Sequence, residues 1–245
     1  MARNSHFYRA SLIKKIFWFI CRFGMKEIVL KPMRQILAPF IIPHLRKSTF
    51  EFKKKTLSLT YHRHGATWSS ERALEISIAK FYLDYYSEKS VLEIGNVTSQ
   101  YFDVQHLILD KYEEPEDTKL IIDQDIIEFT TEKKFNLIIS ISTIEHIGFD
   151  DDGESREKIP LAILKCRKML KPDGILIMTV PLGYNPDMDK FIANDSLGWR
   201  HATYFRRYAY LQWSQCNKEE ALRGRYGTPF PYGNCIMVAE FNSKN

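Results

Sequence analysis

Apolar runs separated by polar stretches recur through the middle of this chain. They lie in residues 90–97, 106–110, 135–142 and 174–180. The last two are apolar at nearly every position, which is typical of a parallel strand covered by helices on both faces. The spacing predicts a repeated order of strand, crossover helix and strand, and therefore a doubly wound α/β sheet.

Polar residues follow these runs, where strands of such a sheet would end. Glu93 and Gly95 close the first run, Asp110 closes the second, and Asp125 follows a short run at residues 120–122. Ligands of doubly wound sheets bind beyond the carboxyl ends of the strands, near the topological switch point. The sequence therefore predicts a binding edge rich in carboxylates.

With these motifs, residues 90–184, roughly two fifths of the chain, resemble the class I S-adenosylmethionine-dependent methyltransferases. The resemblance implies a Rossmann-like, seven-stranded, mostly parallel sheet and S-adenosyl-L-methionine as cofactor. In that family the first strand's acid supports the methionine end, the second binds the ribose hydroxyls, and the third flanks the adenine. The cofactor residues so implied are Glu93, Gly95, Asn96, Val97, Asp110, Lys111, Asp125, Ile126, Ser142 and Glu145.

The turn after the first strand departs from the family pattern E/D-x-G-x-G-x-G, because Gly95 is its only glycine. Asn96 tolerates unusual backbone angles, and Thr98 or Ser99 can cap the next helix, so the turn is still buildable. The reduced turn favours a rival reading, a non-catalytic methyltransferase-like binding or scaffolding protein at the membrane surface. The acids at successive strand ends favour an enzyme.

Four further motifs resemble a bacterial branch of these methyltransferases. They are Y-H-R-x-x-A-T-W at 61–68, L-E-I-G-N-V at 92–97, S-T-I-E-H at 142–146 and V-P-L-G-Y-N-P at 180–186. This resemblance implies that the altered turn belongs to the branch. It also implies a link with surface-glycan or modified-sugar synthesis, and hence O-methylation of a small molecule or glycan precursor.

Candidate catalytic groups come from histidines, since a base is needed where the acceptor carries a proton. His146 follows the strand whose end faces the methyl group in this fold, and His62, His64 and His201 compete with it. The alternative for His146 is a structural role in seating Glu145.

Residues 61–72 are dense in groups that bind ligands or transfer protons. Here Arg63 would meet the cofactor carboxylate, and Trp68 or Tyr61 the sulfonium side. An ordinary turn with surface histidines is the alternative.

The C-terminal part predicts a final strand at 235–241, preceded by a shaped loop at 227–234 that could close over an acceptor pocket. Arg200, Arg206 and Arg207 would suit an anionic acceptor, or lie solvated on a strand.

Charge is strongly uneven along the chain. Residues 1–50 hold ten Lys or Arg and one acid, a net +9, whereas the remainder holds 25 and 29, a net −4. Apolar positions in 12–23 recur at helical spacing between basic residues, which predicts a basic amphipathic helix. It could lie on an anionic membrane, dock on a partner, or pack on its own domain. Pro32, Pro39 and Pro43 predict short helical pieces after it.

Composition adds few constraints. The chain has 245 residues, 44% of them hydrophobic and 27% charged, which is ordinary for a globular protein. Its four cysteines form no C-x-x-C pair, so neither a zinc site nor a disulfide scaffold is expected, and a cytoplasmic protein, peripheral to the inner face of the membrane, is predicted. Nucleic acid ranks below the membrane as a partner, and the oligomeric state is open. We expect a helical extension at 1–49 and a methyltransferase domain at 50–245.

Overall fold

The computed structural model describes residue 20 and residues 25–113, 120–150 and 155–243. The α-helices are α1 (Met25–Ile41), α2 (Arg72–Tyr85), α3 (Lys158–Lys168), α4 (Pro186–Ala193) and α5 (Lys218–Leu222). The strands are β1 (Thr49–Phe52), β2 (Lys55–Ser58), β3 (Val91–Ile94), β4 (Leu107–Leu109), β5 (Ile121–Ile122), β6 (Phe135–Ile141), β7 (Leu170–Pro181), β8 (His201–Ala209), β9 (Gln212–Cys216) and β10 (Cys235–Asn242). Short 3₁₀ helices occupy Ile42–His44, His64–Ser69, Thr98–Gln100 and Ile144–His146.

Eight strands of the described residues form the central sheet, in the order β5-β4-β3-β6-β7-β10-β8-β9. Neighbours from β5 to β7 are parallel, whereas β10 runs antiparallel to both β7 and β8. The predicted doubly wound α/β sheet is therefore confirmed. The seven strands expected of the fold run from β5 to β8 in this order, and β9 adds an eighth strand antiparallel to β8 at the sheet edge.

The sheet is buried on both faces, as its apolar strands require. Leu137 and Ile139 of β6 pack with α2 and the β1–β2 hairpin, whereas Ile138 between them packs with α3 and α4. Successive side chains of a strand point to opposite faces of the sheet. A strand that is apolar at nearly every position is therefore one that other elements cover on both faces. The crossovers are less regular than predicted. α3 joins β6 to β7, but the connection from β3 to β4 contains only a 3₁₀ turn.

Helix α1 corrects the prediction that prolines divide this region, because it runs unbroken through Pro32 and Pro39. Both prolines lie on the exposed side, where the carbonyls that lose a helical partner can be hydrated. The opposite side is anchored: Glu27 accepts two hydrogen bonds from Arg34, at 2.7 and 3.0 Å, and Ala38 is fully buried. The predicted amphipathic helix at 12–23 lies outside the described residues, apart from residue 20.

Candidate cofactor and active site

Glu93 forms the base of the turn after β3. Its buried carboxylate accepts hydrogen bonds from the Val97 and Thr98 amides, at 3.0 and 2.7 Å, and from the Thr98 hydroxyl. His106 lies 2.9 Å away through Nε2. The side chain therefore shapes the turn from beneath and supports a ligand there only indirectly.

Gly95 and Asp110 join this turn to the end of β4. The Gly95 amide donates to the Leu109 carbonyl at 2.9 Å, and the Asn96 amide donates to Asp110 Oδ2 at 2.8 Å. Gly95 has φ +85°, and a Cβ there would lie 2.4 Å from Thr143 Oγ1. The backbone therefore passes close to the end of β6 only because this residue lacks a side chain.

Asp110 keeps hydrogen-bonding capacity at the rim. Its Oδ1 accepts from the amides of Tyr112 and Glu113, at 2.8 and 3.3 Å, while Oδ2 accepts from Asn96. A carboxylate offers about four lone pairs, so Oδ2 of this half-buried residue can accept another donor.

Asp125 stands at the end of β5. Its Oδ1 accepts from the Ile127 amide at 2.8 Å, and its Oδ2 lies 3.4 Å from Lys111 Nζ. Ile126 beside it is buried. The carboxyl ends of β3, β4 and β5 thus hold the three predicted acids in strand order, with Lys111 bridging the last two strands.

The end of β6 carries a second group of polar residues, supplied partly by α2. Ser142 has φ +44° and donates from its hydroxyl to Glu75 Oε1, which also accepts from the Thr179 hydroxyl at 2.8 Å. Arg72 lies 3.2 Å from the other oxygen of Glu75. The fold therefore places a buried ion pair from α2 directly under the S-T-I-E-H segment.

Sequence reasoning assigned no role to Glu71, Arg72 or Glu75, although the first two close the 61–72 segment. Glu71 is buried and accepts the Gly233 amide at 2.8 Å, so the 227–234 loop docks onto the start of α2. Burial and the charge of Glu75 raise the pKa of Glu71. Burial alone would lower the pKa of Arg72, but the surrounding carboxylates raise it. In the sequence, these three residues are only charged positions at the start of a predicted helix. The pattern does not indicate which other residues their side chains contact.

Glu145 is completely buried in the 3₁₀ turn after β6. Neither of its carboxylate oxygens has a hydrogen-bond partner among the described residues, although its backbone carbonyl accepts from Asn185 Nδ2 at 2.7 Å. Burial raises the pKa of Glu145 to about 7. A buried carboxyl group without donors is costly to keep, which marks this residue for a role other than packing.

His146 forms a hydrogen-bonded set with Asp150 and Tyr184. Its Nδ1 bonds Asp150, whose Oδ2 also accepts from the Tyr184 hydroxyl at 2.7 Å. Nε2 lies 3.7 Å from Glu145 Oε1, and the side chain is 41% exposed. Burial acts to lower the pKa of His146, but the hydrogen bond with Asp150 and the charge of Glu145 raise it. Asp150 thus orients the ring. The acidic residues that follow it, in 151–154, lie outside the described residues.

The segment before α2 is only partly directed towards this edge. The rings of His62 and His64 pack edge-on against Tyr101, with centroids 5.2 and 5.6 Å apart from it. Arg63 is exposed. Trp68 is buried in a small cluster with Ala38 and neighbouring apolar residues, so its indole packs beneath α1. Arg72, rather than Arg63, is the arginine beside the strand ends.

The structure does not bring His201 or the predicted arginines to these strand ends. His201 is exposed at the start of β8, four strands from β3 in the sheet order. Arg207 is buried and donates to the carbonyls of Tyr210 and Ser69, at 2.5 and 3.2 Å, so it fastens loops together. Arg206 pairs with Glu220 at 2.9 Å. The strand register places His201 opposite Glu240, level with the middle of β7, whereas Arg206 lies opposite Cys235, near the level at which β7 ends.

The sheet order, with antiparallel β10 between β7 and β8, is that of the class I S-adenosylmethionine-dependent methyltransferase fold. No family model matches the sequence, and a search of curated proteins found no match.

Comparison with solved structures returns methyltransferases. The N-methyltransferase NodS from Bradyrhizobium japonicum WM9, in complex with S-adenosyl-L-homocysteine, is 15% identical, with 71% of this chain and 88% of that chain covered and a TM-score of 0.45. A SAM-dependent methyltransferase from Archaeoglobus fulgidus is 14% identical, with coverages of 68% and 93% and a TM-score of 0.43. The Burkholderia thailandensis 1,6-didemethyltoxoflavin-N1-methyltransferase is 12% identical, with coverages of 78% and 97% and a TM-score of 0.40. Similarity at this level does not assign an activity to this chain.

Proposed function

We propose that this chain is an S-adenosyl-L-methionine-dependent methyltransferase acting on a small molecule or glycan precursor. The observation that carries the proposal is the row of carboxylates at the ends of β3, β4 and β5, tied together by the Asn96–Asp110 hydrogen bond of 2.8 Å. Gly95 supports it as well, because the missing side chain lets the turn pack closely against Thr143 at the end of β6 and so keeps the strand ends together. S-adenosyl-L-methionine supplies a methyl group on a sulfonium.

The residues that would hold the cofactor divide by strand. Glu93 fixes the turn for the methionine end, Asp110 accepts from the ribose hydroxyls, and Asp125 with Ile126 flanks the adenine. Transfer to an acceptor requires its lone pair to be held in line with the methyl group and away from water, so positioning supplies much of the acceleration. His146, oriented by Asp150 and Tyr184, is placed to accept a proton through Nε2.

Binding of S-adenosyl-L-homocysteine tests this proposal. We expect measurable affinity in the full chain, and a loss of at least about tenfold in Asp110→Ala, because hydrogen bonds to a charged acceptor are lost. Isothermal titration calorimetry gives the affinities, and circular dichroism checks folding.

Asp103→Ala is the matched control, since this exposed carboxylate lies shortly before β4, whereas Asp110 follows that strand, and it contacts only the Gln105 amide, at 3.4 Å, in the described structure. If the folded wild-type chain does not bind S-adenosyl-L-homocysteine, or if Asp110→Ala binds it as tightly as the wild type, the proposal is contradicted. The non-catalytic scaffolding alternative is then favoured. The oxygen acceptor and the link with surface glycans stay predictions of the resemblance, and methyl incorporation into nucleotide sugars and glycan precursors tests them.

A second proposal, attachment to an anionic membrane surface, is favoured by α1. Met25, Val29, Met33, Ile36 and Phe40 are all exposed, by 46–73%, and project within about 80° of one another on the helix. This apolar stripe carries no charge, and it belongs to the segment whose net charge is +9. An apolar helix face within a basic segment suits the interface of a membrane with anionic lipid. Among the described residues, no helix is both long and apolar enough to cross a bilayer.

Vesicle flotation tests the stripe. We expect the full chain to float with vesicles containing anionic phosphatidylglycerol, and Ile36→Glu/Phe40→Glu to lower partitioning at least about tenfold, because two inserted side chains are replaced by charges. Leu164→Glu, at an exposed leucine of α3, is the control and should float as the wild type does. Unchanged flotation of the double variant would contradict the proposal. A wild-type chain that sediments as a dimer and a double variant that sediments as a monomer would also contradict it, because a second copy of the chain would then cover the stripe.

A further inference from the structure

The cluster around Glu145 contains more buried acid than base. Glu71, Glu75 and Glu145 are each buried, and they share Arg72 as the cation that acts on all three. Both oxygens of Glu145 and Oε2 of Glu75 have no hydrogen-bond partner in the described structure, although Arg72 stands 3.2 Å from that Glu75 atom. Burial of a charge without donors is strongly unfavourable. The cluster is therefore short of one donor-bearing or cationic group.

A metal ion is a poor candidate for that group. Within the described parts of the chain, no three His, Cys, Asp or Glu residues are arranged to hold one. The Glu75 carboxylate is already engaged by Ser142, Thr179 and Arg72. A ligand that donates hydrogen bonds and carries one positive charge fits better, because it satisfies the two free oxygens of Glu145 without further protein ligands.

The position of Glu145 separates it from the proposed cofactor carboxylates. Those residues follow β3, β4 and β5, whereas Glu145 follows β6, on the opposite side of β3 in the sheet order. Its other neighbours are His146, with Asp150 and Tyr184 behind it, and Asn185, which holds the Glu145 backbone carbonyl. In the proposed function, this places Glu145 beyond the methionine end, on the acceptor side of the transferred methyl group.

We propose that Glu145 binds the protonatable amine nitrogen of the methyl acceptor, so that the acceptor is an amine. The inference rests on the proposed methyltransferase function and departs from the resemblance in two respects, the oxygen acceptor and the cofactor contact it implies for Glu145. The carboxylate pairs with the ammonium form and can take one proton from it, becoming a carboxylic acid and leaving a neutral amine with its lone pair free. A pKa of about 7 suits Glu145 to that exchange near neutral pH.

Two cofactor analogues test the assignment without knowledge of the acceptor. S-adenosyl-L-homocysteine lacks the transferred methyl group, whereas sinefungin carries a primary amine where the sulfonium and its methyl would be. Both share the adenosine, the α-amino group and the carboxylate. We expect the wild-type chain to bind sinefungin at least about tenfold more tightly than S-adenosyl-L-homocysteine, because the ammonium group of sinefungin contacts Glu145.

Glu145→Gln is expected to abolish this preference while leaving affinity for S-adenosyl-L-homocysteine within about twofold of the wild type. Titration calorimetry of both ligands on the full chain provides the comparison. Glu240→Gln is the matched control, because Glu240 is a buried carboxylate whose partners, Lys53 at 2.7 Å and Tyr82 at 3.2 Å, lie away from this edge. It should leave both affinities unchanged.

Three results would overturn the inference. Equal losses for both ligands in Glu145→Gln would assign Glu145 to the amino-acid portion of the donor. If Glu145→Gln keeps the preference for sinefungin, Glu145 does not recognise the ammonium. The same follows if the wild-type chain binds both ligands but does not prefer sinefungin. Failure of the folded wild-type chain to bind either ligand is a different outcome, which removes the proposed function and the inference with it.

Discussion

Replacing Glu93 with alanine is expected to lower the free energy of unfolding by about 3–5 kcal/mol, the range for removing one partner of a buried charged cluster. The carboxylate is fully buried and is the acceptor for two amides, one hydroxyl and the His106 ring. Alanine leaves these donors in a site from which water is excluded. Since domains are stable by about 5–15 kcal/mol, this loss is a large part of the total.

Urea denaturation followed by circular dichroism measures this effect. Glu93→Gln is the informative comparison. Its carbonyl oxygen can still accept from the Val97 and Thr98 amides, whereas its amide nitrogen replaces the oxygen that accepts from the Thr98 hydroxyl. We expect an intermediate loss of about 1–3 kcal/mol. The folded fraction of Glu93→Ala should also bind S-adenosyl-L-homocysteine poorly, because the turn has lost its support. A loss below about 1 kcal/mol in the alanine variant would contradict the role of Glu93 as the base of the turn.

Gly95→Ala is expected to destabilise the protein by about 2–5 kcal/mol, the sum of two costs. Left-handed backbone costs a residue with a side chain about 1–2 kcal/mol. Overpacking adds about 1–3 kcal/mol, since the new Cβ would lie 2.4 Å from Thr143 Oγ1 and 2.6 Å from Thr143 Cγ2. The turn must move away from β6 to relieve the contact, so cofactor affinity should fall as well.

The chain offers a control that separates these costs. Gly227 has φ +81°, but nothing lies within 4 Å of the position its Cβ would take, so Gly227→Ala should show the conformational cost alone, about 1–2 kcal/mol. Thr143→Ala removes both clashing atoms and should recover part of the Gly95→Ala loss in the double variant. Equal destabilisation at Gly95 and Gly227, with no recovery, would show that close packing against Thr143 is unimportant.

Local patterns were sufficient for the parallel half of the sheet. Apolar residues at nearly every position of 135–141 required burial on both faces, and an acid near the end of 91–94, followed by Gly95, required a tight turn. Those properties depend on neighbouring residues in the chain, so they were readable without tertiary contacts. Helix α1 was misjudged because proline propensity is local, whereas Glu27 is held by Tyr232 from the far end of the chain as well as by Arg34.

The sequence by itself thus determined the α/β class, the strand ends and the row of carboxylates beyond them. Only the tertiary structure decided that Glu71, Arg72 and Glu75 of α2 meet the turn holding Glu145, and that His201 stands four strands away from β3. Strand and turn signals are short-range and recur along a chain, whereas which charged side chains share a buried space depends on how distant segments pack. The missing partner of Glu145 belongs to this second kind of information, because an unsatisfied buried carboxylate exists only once the rest of the fold has excluded water from it.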